Sequence, residues 1–144
     1  MIALGCDHGG YNMMVEIKAL LEEKGLLYKD FGTHSDKSVD YPDFAKPVAA
    51  AVSSGECERG ILVCGTGIGM SIAANKVNGI RASLCGDCFS AEMTRRHNDA
   101  NILCLGARTT GAGLALKIAE IFLETPFEGG RHAARVEKIM EMER

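Results

Sequence analysis

The stretch that decides the fold is residues 60–69, Gly-Ile-Leu-Val-Cys-Gly-Thr-Gly-Ile-Gly. Its first half, Gly60–Cys64, is a short apolar run of the kind that forms a buried strand. Its second half is a glycine-rich turn, and a short helix through Lys76 is predicted to follow it. A strand that passes through such a turn into a helix is the basic unit of an α/β protein.

The same alternation of strand and helix extends outward to both ends of the chain. The other predicted strands are Ile2–Cys6, Leu26–Phe31, Ile80–Cys85 and Asn101–Leu105. The other predicted helices cover about 11–24, 42–53, 87–97, 111–124 and 130–144. Strands joined through helices run parallel and have both faces of their sheet covered. We therefore expect one α/β domain over residues 1–144, with five parallel strands and an extra C-terminal helix.

Composition excludes several classes of protein. The chain has 144 residues, a net charge of −3, 6% aromatic residues and no tryptophan. A nucleic-acid-binding protein normally carries a basic excess and aromatic stacking residues, so we expect no nucleic-acid partner. No apolar run approaches the length of a membrane span, and the N-terminus lacks a basic segment, so we expect a cytoplasmic protein without a membrane partner.

The six cysteines do not form a disulfide or metal pattern. An even number of cysteines in a chain that is neither short nor secreted is no sign of a disulfide framework. Cys85 and Cys88 form a CxxC pair, but a structural zinc site needs a second pair of ligands at matching spacing. The sequence thus predicts neither a metal site nor a cofactor.

Ligands of parallel sheets bind beyond the carboxyl ends of the strands, where Asp7, His8 and Cys64 are predicted to lie. The loop Gly65–Gly69 would turn its N–H groups inward and form a cradle for a phosphate or a developing enolate. A Walker A loop is excluded because Gly-Lys does not precede Ser71. The dinucleotide fingerprint fails because Met70 stands where its third glycine belongs.

Five side chains carry the candidate acid–base and phosphate-binding chemistry. Cys64 precedes the amide cradle, which favours its thiolate and makes it a candidate nucleophile or base. His8 and His97 are candidate acid–base groups. His97 precedes the last strand, which places it at the opposite edge of the sheet; either a long helix or a loop brings it elsewhere, or it serves a neighbouring subunit. Arg131 and Arg135 share a helix face and suit a phosphate. This set favours a small phosphorylated substrate.

Five motifs together resemble the type B sugar-phosphate isomerases, the family of ribose-5-phosphate isomerase type B and of galactose- and allose-6-phosphate isomerases. The motifs are Asp7–Gly10, Ser38–Pro42, Cys64–Lys76, His97–Asn101 and Gly129–His132. The resemblance covers essentially the whole chain. It implies a three-layer α/β/α sandwich with a Rossmann-like sheet, no metal, and a homodimer or tetramer whose active sites lie between subunits.

The resemblance also implies roles for individual residues. Cys64 matches the base that moves a proton between C1 and C2, His97 the acid that opens the furanose ring, and Thr66 a catalytic donor to the enediolate oxygens. The implied substrate-binding residues are Asp7, His8, Tyr41, Gly65, Thr66, Gly67, Ile68, Gly69, Asn98, Arg108, Arg131 and Arg135. Relatives without the cysteine use a glutamate at the position of Met70, so this chain is similar to the cysteine type.

The expected reaction is the interconversion of ribose 5-phosphate and ribulose 5-phosphate through a cis-enediolate. One alternative is an isomerase of allose or galactose 6-phosphate, because the sequence does not fix the length of the sugar. Another is a phosphocysteine carrier of the sugar-uptake system, which would use Cys64 and its loop but neither His97 nor the arginine pair. A third is a nucleotide-binding module without catalytic activity.

Overall fold

The computed structural model describes residues 1–143, in which five strands alternate with helices. In chain order the elements are β1 (Ile2–Cys6), α1 (Tyr11–Glu23), β2 (Tyr28–Asp30), α2 (Pro42–Ser53), β3 (Arg59–Cys64), α3 (Ile68–Ala74), β4 (Ala82–Leu84), α4 (Cys88–Asn98), β5 (Ile102–Gly106), α5 (Ala112–Glu124) and α6 (Arg131–Met140). The predicted order of strands and helices, including the extra C-terminal helix, is confirmed.

The five strands form one parallel sheet in the order β2–β1–β3–β5–β4. Cys6 pairs with Val63, and Cys64 pairs with Gly106, so the carboxyl ends of the three central strands lie side by side. These central strands are buried almost throughout their length. Burial on both faces explains why their sequences are continuously apolar rather than alternating.

The two edge strands are shorter than the sequence predicted. Leu26–Phe31 was expected to pair along its length, but only Tyr28–Asp30 does so, and Leu27 is 72% exposed. Ile80–Cys85 likewise contributes only Ala82–Leu84. An edge strand has one neighbour and lies partly in solvent, so apolar composition alone overestimates how far its pairing extends.

Two helices also end before their predicted limits. α3 ends at Ala74 rather than Lys76, because the side-chain amide of Asn75 instead makes hydrogen bonds with the backbone N–H and C=O of Ala82. α6 ends at Met140, and residues 141–142 form a turn instead of continuing the predicted helix. Arg144, the last residue of that predicted helix, lies outside the described residues.

Helices cover both faces of the sheet and create two apolar cores. One face packs against α1 and α5, with Phe122, Ile17 and Ile118 fully buried, and α4 contributes Ala91 to the same core. The other face packs against α2 and α3. The three-layer α/β/α sandwich is therefore confirmed. No helix in residues 1–143 combines the length and apolar character needed to cross a membrane.

A close approach between backbones joins the first helix to the centre of the sheet. Gly10 precedes α1 and packs on β3, where a Cβ at residue 10 would lie 2.3 Å from the carbonyl oxygen of Val63. Gly113, in the first turn of α5, has open space around its own Cβ position. The two glycines thus differ in the packing that a methyl group would meet.

We expect Gly10→Ala to lower the free energy of unfolding by about 1–3 kcal/mol, because the rigid backbone of Val63 must move to admit the methyl group. Gly113→Ala should instead raise it by up to about 1 kcal/mol, since alanine is the better helix former. Urea unfolding of both variants tests the difference. Equal stabilities would contradict the close packing of α1 on β3.

Candidate active site

Cys64 lies at the carboxyl end of β3, where the chain turns sharply into α3. The backbone N–H of Gly67 donates a hydrogen bond to the Cys64 sulfur over 3.1 Å. Gly67 adopts a φ of 78°, and a Cβ there would lie 2.9 Å from the carbonyl carbon of Leu105. Glycine is therefore required at this turn. The sulfur thus faces a backbone donor at the point where the strand ends.

The cleft above Cys64 gathers most of the predicted site residues. Its volume is about 480 Å³, and its lining residues are Asp7, Tyr41, Cys64, Gly65, Thr66, Ile68, Gly69, Ile72 and Arg108. Ile72 is the one lining residue that sequence reasoning missed. The sequence feature that could have indicated Ile72 is helical spacing, because Ile72 follows Ile68 by one turn of α3 and so lies on the same helix face. Both side chains are exposed.

One glycine in the cradle makes room for an aromatic side chain, and another lies beside an arginine. A Cβ at Gly69 would lie 2.6 Å from the ring of Tyr41, whereas one at Gly65 would meet Cδ of Arg108 in ordinary contact at 3.5 Å. The Arg108 N–H also donates to the Gly65 carbonyl over 2.9 Å, which fixes the arginine backbone beside the loop. A guanidinium is thus held at the same edge of the sheet as the Cys64 thiol, where it suits an anionic ligand.

Asp7 and His8 follow β1 and are held by backbone donors. Asp7 is buried, and its Oδ1 accepts a hydrogen bond from the Gly10 N–H over 3.1 Å. Nδ1 of His8 accepts from the Val39 N–H over 3.1 Å. A neutral His8 therefore carries its proton on Nε2, which leaves that nitrogen as a hydrogen-bond donor.

His97 and the paired arginines do not line this cleft. α4 runs back from the carboxyl edge, so His97 and Asn98, at its end, lie near the amino edge of the sheet, as their position in the sequence predicted. Arg131 opens α6, and Arg135 follows one turn later. The described chain thus holds two groups of candidate residues, one around Cys64 and one around His97.

The group around His97 includes two residues that the sequence did not assign to the site. The ring of His132 stacks on that of His97, with centroids 4.1 Å apart and planes 11° from parallel. Nε2 of His97 lies 4.0 Å from Oε2 of Glu128, and Nε2 of His132 lies 3.7 Å from Oε1. The sequence signal was the i, i+4 spacing of Glu128 and His132, whereas their approach to His97 is a tertiary contact.

His97, Glu128 and His132 also offer three potential metal-ligand atoms within 4.8 Å of one another. The sequence predicted no metal site here. Imidazole nitrogens bind metals in the plane of their ring, and two stacked, nearly parallel rings do not aim their nitrogens at one point. In the described chain no third ligand joins Cys85 and Cys88. That the protein needs no metal stays a prediction.

All six cysteines are free thiols, and all but Cys88 are buried, Cys64 included. Burial raises the pKa of Cys6 to about 12 and that of Cys85 to about 11, so both stay protonated at neutral pH. Burial likewise raises the pKa of Cys104 and of Cys57. Among these thiols, Cys64 is the one that lines the cleft.

Comparison with known proteins assigns the family. A family model described as Ribose/Galactose Isomerase matches residues 2–139. A putative sugar phosphate isomerase of Bacillus subtilis, YwlF, is 56% identical over 99% of this chain and 96% of its own length. Ribose-5-phosphate isomerase B of Escherichia coli is 50% identical over 99% of this chain and 95% of its own length. The solved structure of Clostridium thermocellum ribose-5-phosphate isomerase B superposes with a TM-score of 0.96 at 58% identity, covering 98% of this chain and 95% of that one. This chain therefore belongs to the ribose/galactose isomerase family.

Proposed function

We propose that this enzyme interconverts ribose 5-phosphate and ribulose 5-phosphate, with Cys64 as the base. The observation that carries the proposal is the Gly67 N–H that donates to the Cys64 sulfur at the floor of a cleft also lined by Arg108. Aldose–ketose isomerisation needs one base beside donors for a developing oxyanion. The E. coli and C. thermocellum relatives, both named ribose-5-phosphate isomerase B, support this substrate.

In the proposed reaction the Cys64 thiolate takes the proton from C2 of the open-chain aldose. The electrons of the C2–H bond form the C1–C2 double bond, and the carbonyl pair moves to O1 to give the cis-enediolate. Cys64 then returns the proton to C1 while the proton on O2 passes to O1. The Thr66 hydroxyl accepts from the Ile68 N–H over 3.2 Å, which leaves its own O–H to donate to an enediolate oxygen.

Ribose 5-phosphate is mainly a closed furanose, so a second group must open the ring. We assign this step to His97, with Asn98, Arg131 and Arg135 contacting the sugar and its phosphate. Because these residues lie at the other edge of the same chain, the proposal requires a homodimer in which each cleft receives the His97 group of its partner. A tetramer would pair such dimers, and we expect the assembly to be cytoplasmic.

Exposed apolar side chains around the cleft support this shared site. Ile68 and Ile72 are 51% and 58% exposed, and Phe89, in the first turn of α4, is 63% exposed. Leu84 contacts the turn at Gly67 and is also exposed. Apolar surface of this kind at the mouth of a cleft fits a protein–protein contact.

Cys64→Ala should abolish the conversion of ribose 5-phosphate to ketose, because alanine has no group to carry the C2 proton. The fold and sugar-phosphate binding should remain nearly intact. Cys88→Ala is the matched control, since Cys88 is a second thiol near the carboxyl edge of the sheet, at the start of α4, but lies outside the cleft. A coupled ketose assay, calorimetric binding and thermal unfolding measure the three properties. Turnover by Cys64→Ala close to that of the unmodified enzyme would contradict the proposed base.

Side-by-side turnover separates the alternative substrates. We expect ribose 5-phosphate to be isomerised with a higher kcat/KM than allose 6-phosphate or galactose 6-phosphate, without any added metal, phosphoryl donor or nucleotide. Turnover should be unchanged after exhaustive chelation, because no described residue of the proposed reaction acts through a metal. Preference for a six-carbon phosphate would reassign the substrate. Phosphorylation of Cys64 without isomerisation would instead favour the carrier.

Mixing two inactive variants tests the shared site. Cys64→Ala and His97→Asn dimers, each inactive on ribose 5-phosphate, should regain activity when their subunits exchange. Half of the dimers are then mixed, and each has one site with both defects and one intact site, so activity should reach about a quarter of the unmodified level. Native mass spectrometry confirms the exchange. Exchange without recovered activity would place both residues in the same subunit's site.

A further inference from the structure

The carboxylate of Glu128 lies between two stacked histidines at the amino edge of the sheet. Its Oε1 faces Nε2 of His132 at 3.7 Å, and its Oε2 faces Nε2 of His97 at 4.0 Å. Each oxygen of one carboxylate is thus directed to a different imidazole. Small movements would convert both approaches into hydrogen bonds, and such bonds often tighten only when substrate is bound.

His132 has an unsatisfied polar atom at this place. Its side chain is 7% exposed. Among the buried side-chain nitrogen and oxygen atoms of residues 1–143, Nε2 of His132 is the one without a hydrogen-bond partner. A buried polar atom without a partner is costly and therefore calls for an explanation. The nearest carboxylate oxygen, Oε1 of Glu128, supplies one if the pair closes.

Glu128 is anchored to the helix that carries His97. Its backbone N–H donates to the Arg96 carbonyl over 3.0 Å, and its Oε2 lies 3.3 Å from the Arg96 guanidinium. Arg95, buried in the same helix, donates to the Thr125 carbonyl over 3.1 Å. The segment that follows α5 is therefore fixed to the end of α4, so Glu128 and His97 keep their relative positions.

Burial and the surrounding charges disfavour a proton on His132. Burial lowers the pKa of His132, and the neighbouring His97, Arg131 and Arg135 lower it further, whereas Glu128 acts in the opposite direction. His132 therefore stays neutral at neutral pH. The side chain of His97 is 40% exposed and faces the same carboxylate.

We infer that Glu128 and His132 are positioning residues for His97 in ring opening, an inference that rests on the proposed function. Glu128 holds the proton of His97 on Nε2, which leaves Nδ1 to react. Nδ1 takes the proton of the anomeric hydroxyl as the C1–O4 bond breaks, and then gives that proton to O4. The proton thus moves from O1 to O4 and His97 returns to its neutral form. Glu128 stabilises the imidazolium between the two transfers, and stacking on neutral His132 fixes the plane of the ring.

The test compares two reactions of one enzyme, only one of which needs ring opening. Ribose 5-phosphate must open before it reacts, whereas ribulose 5-phosphate is acyclic because its O5 carries the phosphate. Ketose formation from ribose 5-phosphate therefore reports both steps. Exchange of the C1 proton of ribulose 5-phosphate in D2O, followed by NMR, reports the Cys64 step alone.

Glu128→Gln should lower ketose formation at least about tenfold while C1 exchange stays within about twofold of the unmodified enzyme. The matched control is Glu92→Gln, because Glu92 also pairs with Arg96, at 3.2 Å, but belongs to neither histidine contact. The control should leave both reactions unchanged. Equal losses in the two reactions, or equal behaviour of the two variants, would overturn the inference.

The kinetic constants give a second readout that a merely structural role would not move. Glu128→Gln should lower kcat for ribose 5-phosphate and leave KM within about twofold of the unmodified enzyme, because Glu128 acts on the proton transfer and not on substrate binding. A loss expressed mainly in KM would contradict the assigned role of Glu128.

Two substitutions separate the stacking role of His132 from a phosphate contact. His132→Phe keeps an aromatic ring against His97, so it should retain more ketose formation than His132→Ala, with C1 exchange spared in both. A loss shared by the two reactions and expressed in KM would assign His132 to the phosphate and overturn its role here. Thermal unfolding identifies any variant that fails to fold, in which case the Glu128 variants carry the test.

Failure of the inference can be distinguished from failure of the proposed function. If the unmodified enzyme does not isomerise ribose 5-phosphate, the proposed function is wrong. If the unmodified enzyme is active and the Glu128→Gln and Glu92→Gln variants behave alike, only the roles of Glu128 and His132 are wrong.

Discussion

Every strand of the sheet runs in the same direction, and each helix must therefore carry the chain back across the molecule before the next strand begins. Residues that follow strands collect at one edge, as Asp7, Cys64 and Arg108 do. Residues that end helices collect at the other, as His97 does. The proposed chemistry needs both groups in one cleft, which is why that proposal calls on a second subunit.

Local geometry sets Cys64 apart from the other five cysteines. Cys6, Cys85 and Cys104 lie on or beside neighbouring strands, but burial holds their pKa values high. Cys64 instead ends its strand where the backbone reverses and presents an N–H to the sulfur. The left-handed conformation of Gly67 makes that reversal possible and places the N–H donor that faces the Cys64 sulfur.

Local sequence signals were enough to predict the elements and the residues around Cys64. The apolar run Gly60–Cys64 predicts a buried strand, and the glycines after it predict a turn, because both structures depend mainly on residues that are neighbours in sequence. The extent of the edge strands depends on solvent exposure, which composition does not report. Leu27 was predicted to belong to a strand for this reason, but it is exposed and lies outside β2. Glu128 reaches His97 across 31 positions of sequence through the packing of a loop on α4, and no local pattern encodes such a contact.

The brevity of β2 and β4 has a consequence for how the molecule associates with others. Each edge offers only three residues whose unpaired N–H and C=O groups could accept a foreign strand, and β2 carries the charged Lys29 at its centre. Such edges resist the extension of the sheet from one molecule into the next, which is the usual route to amyloid-like aggregation. Self-association is thereby directed away from backbone pairing and toward side-chain surfaces, where shape and charge can limit it to a closed assembly.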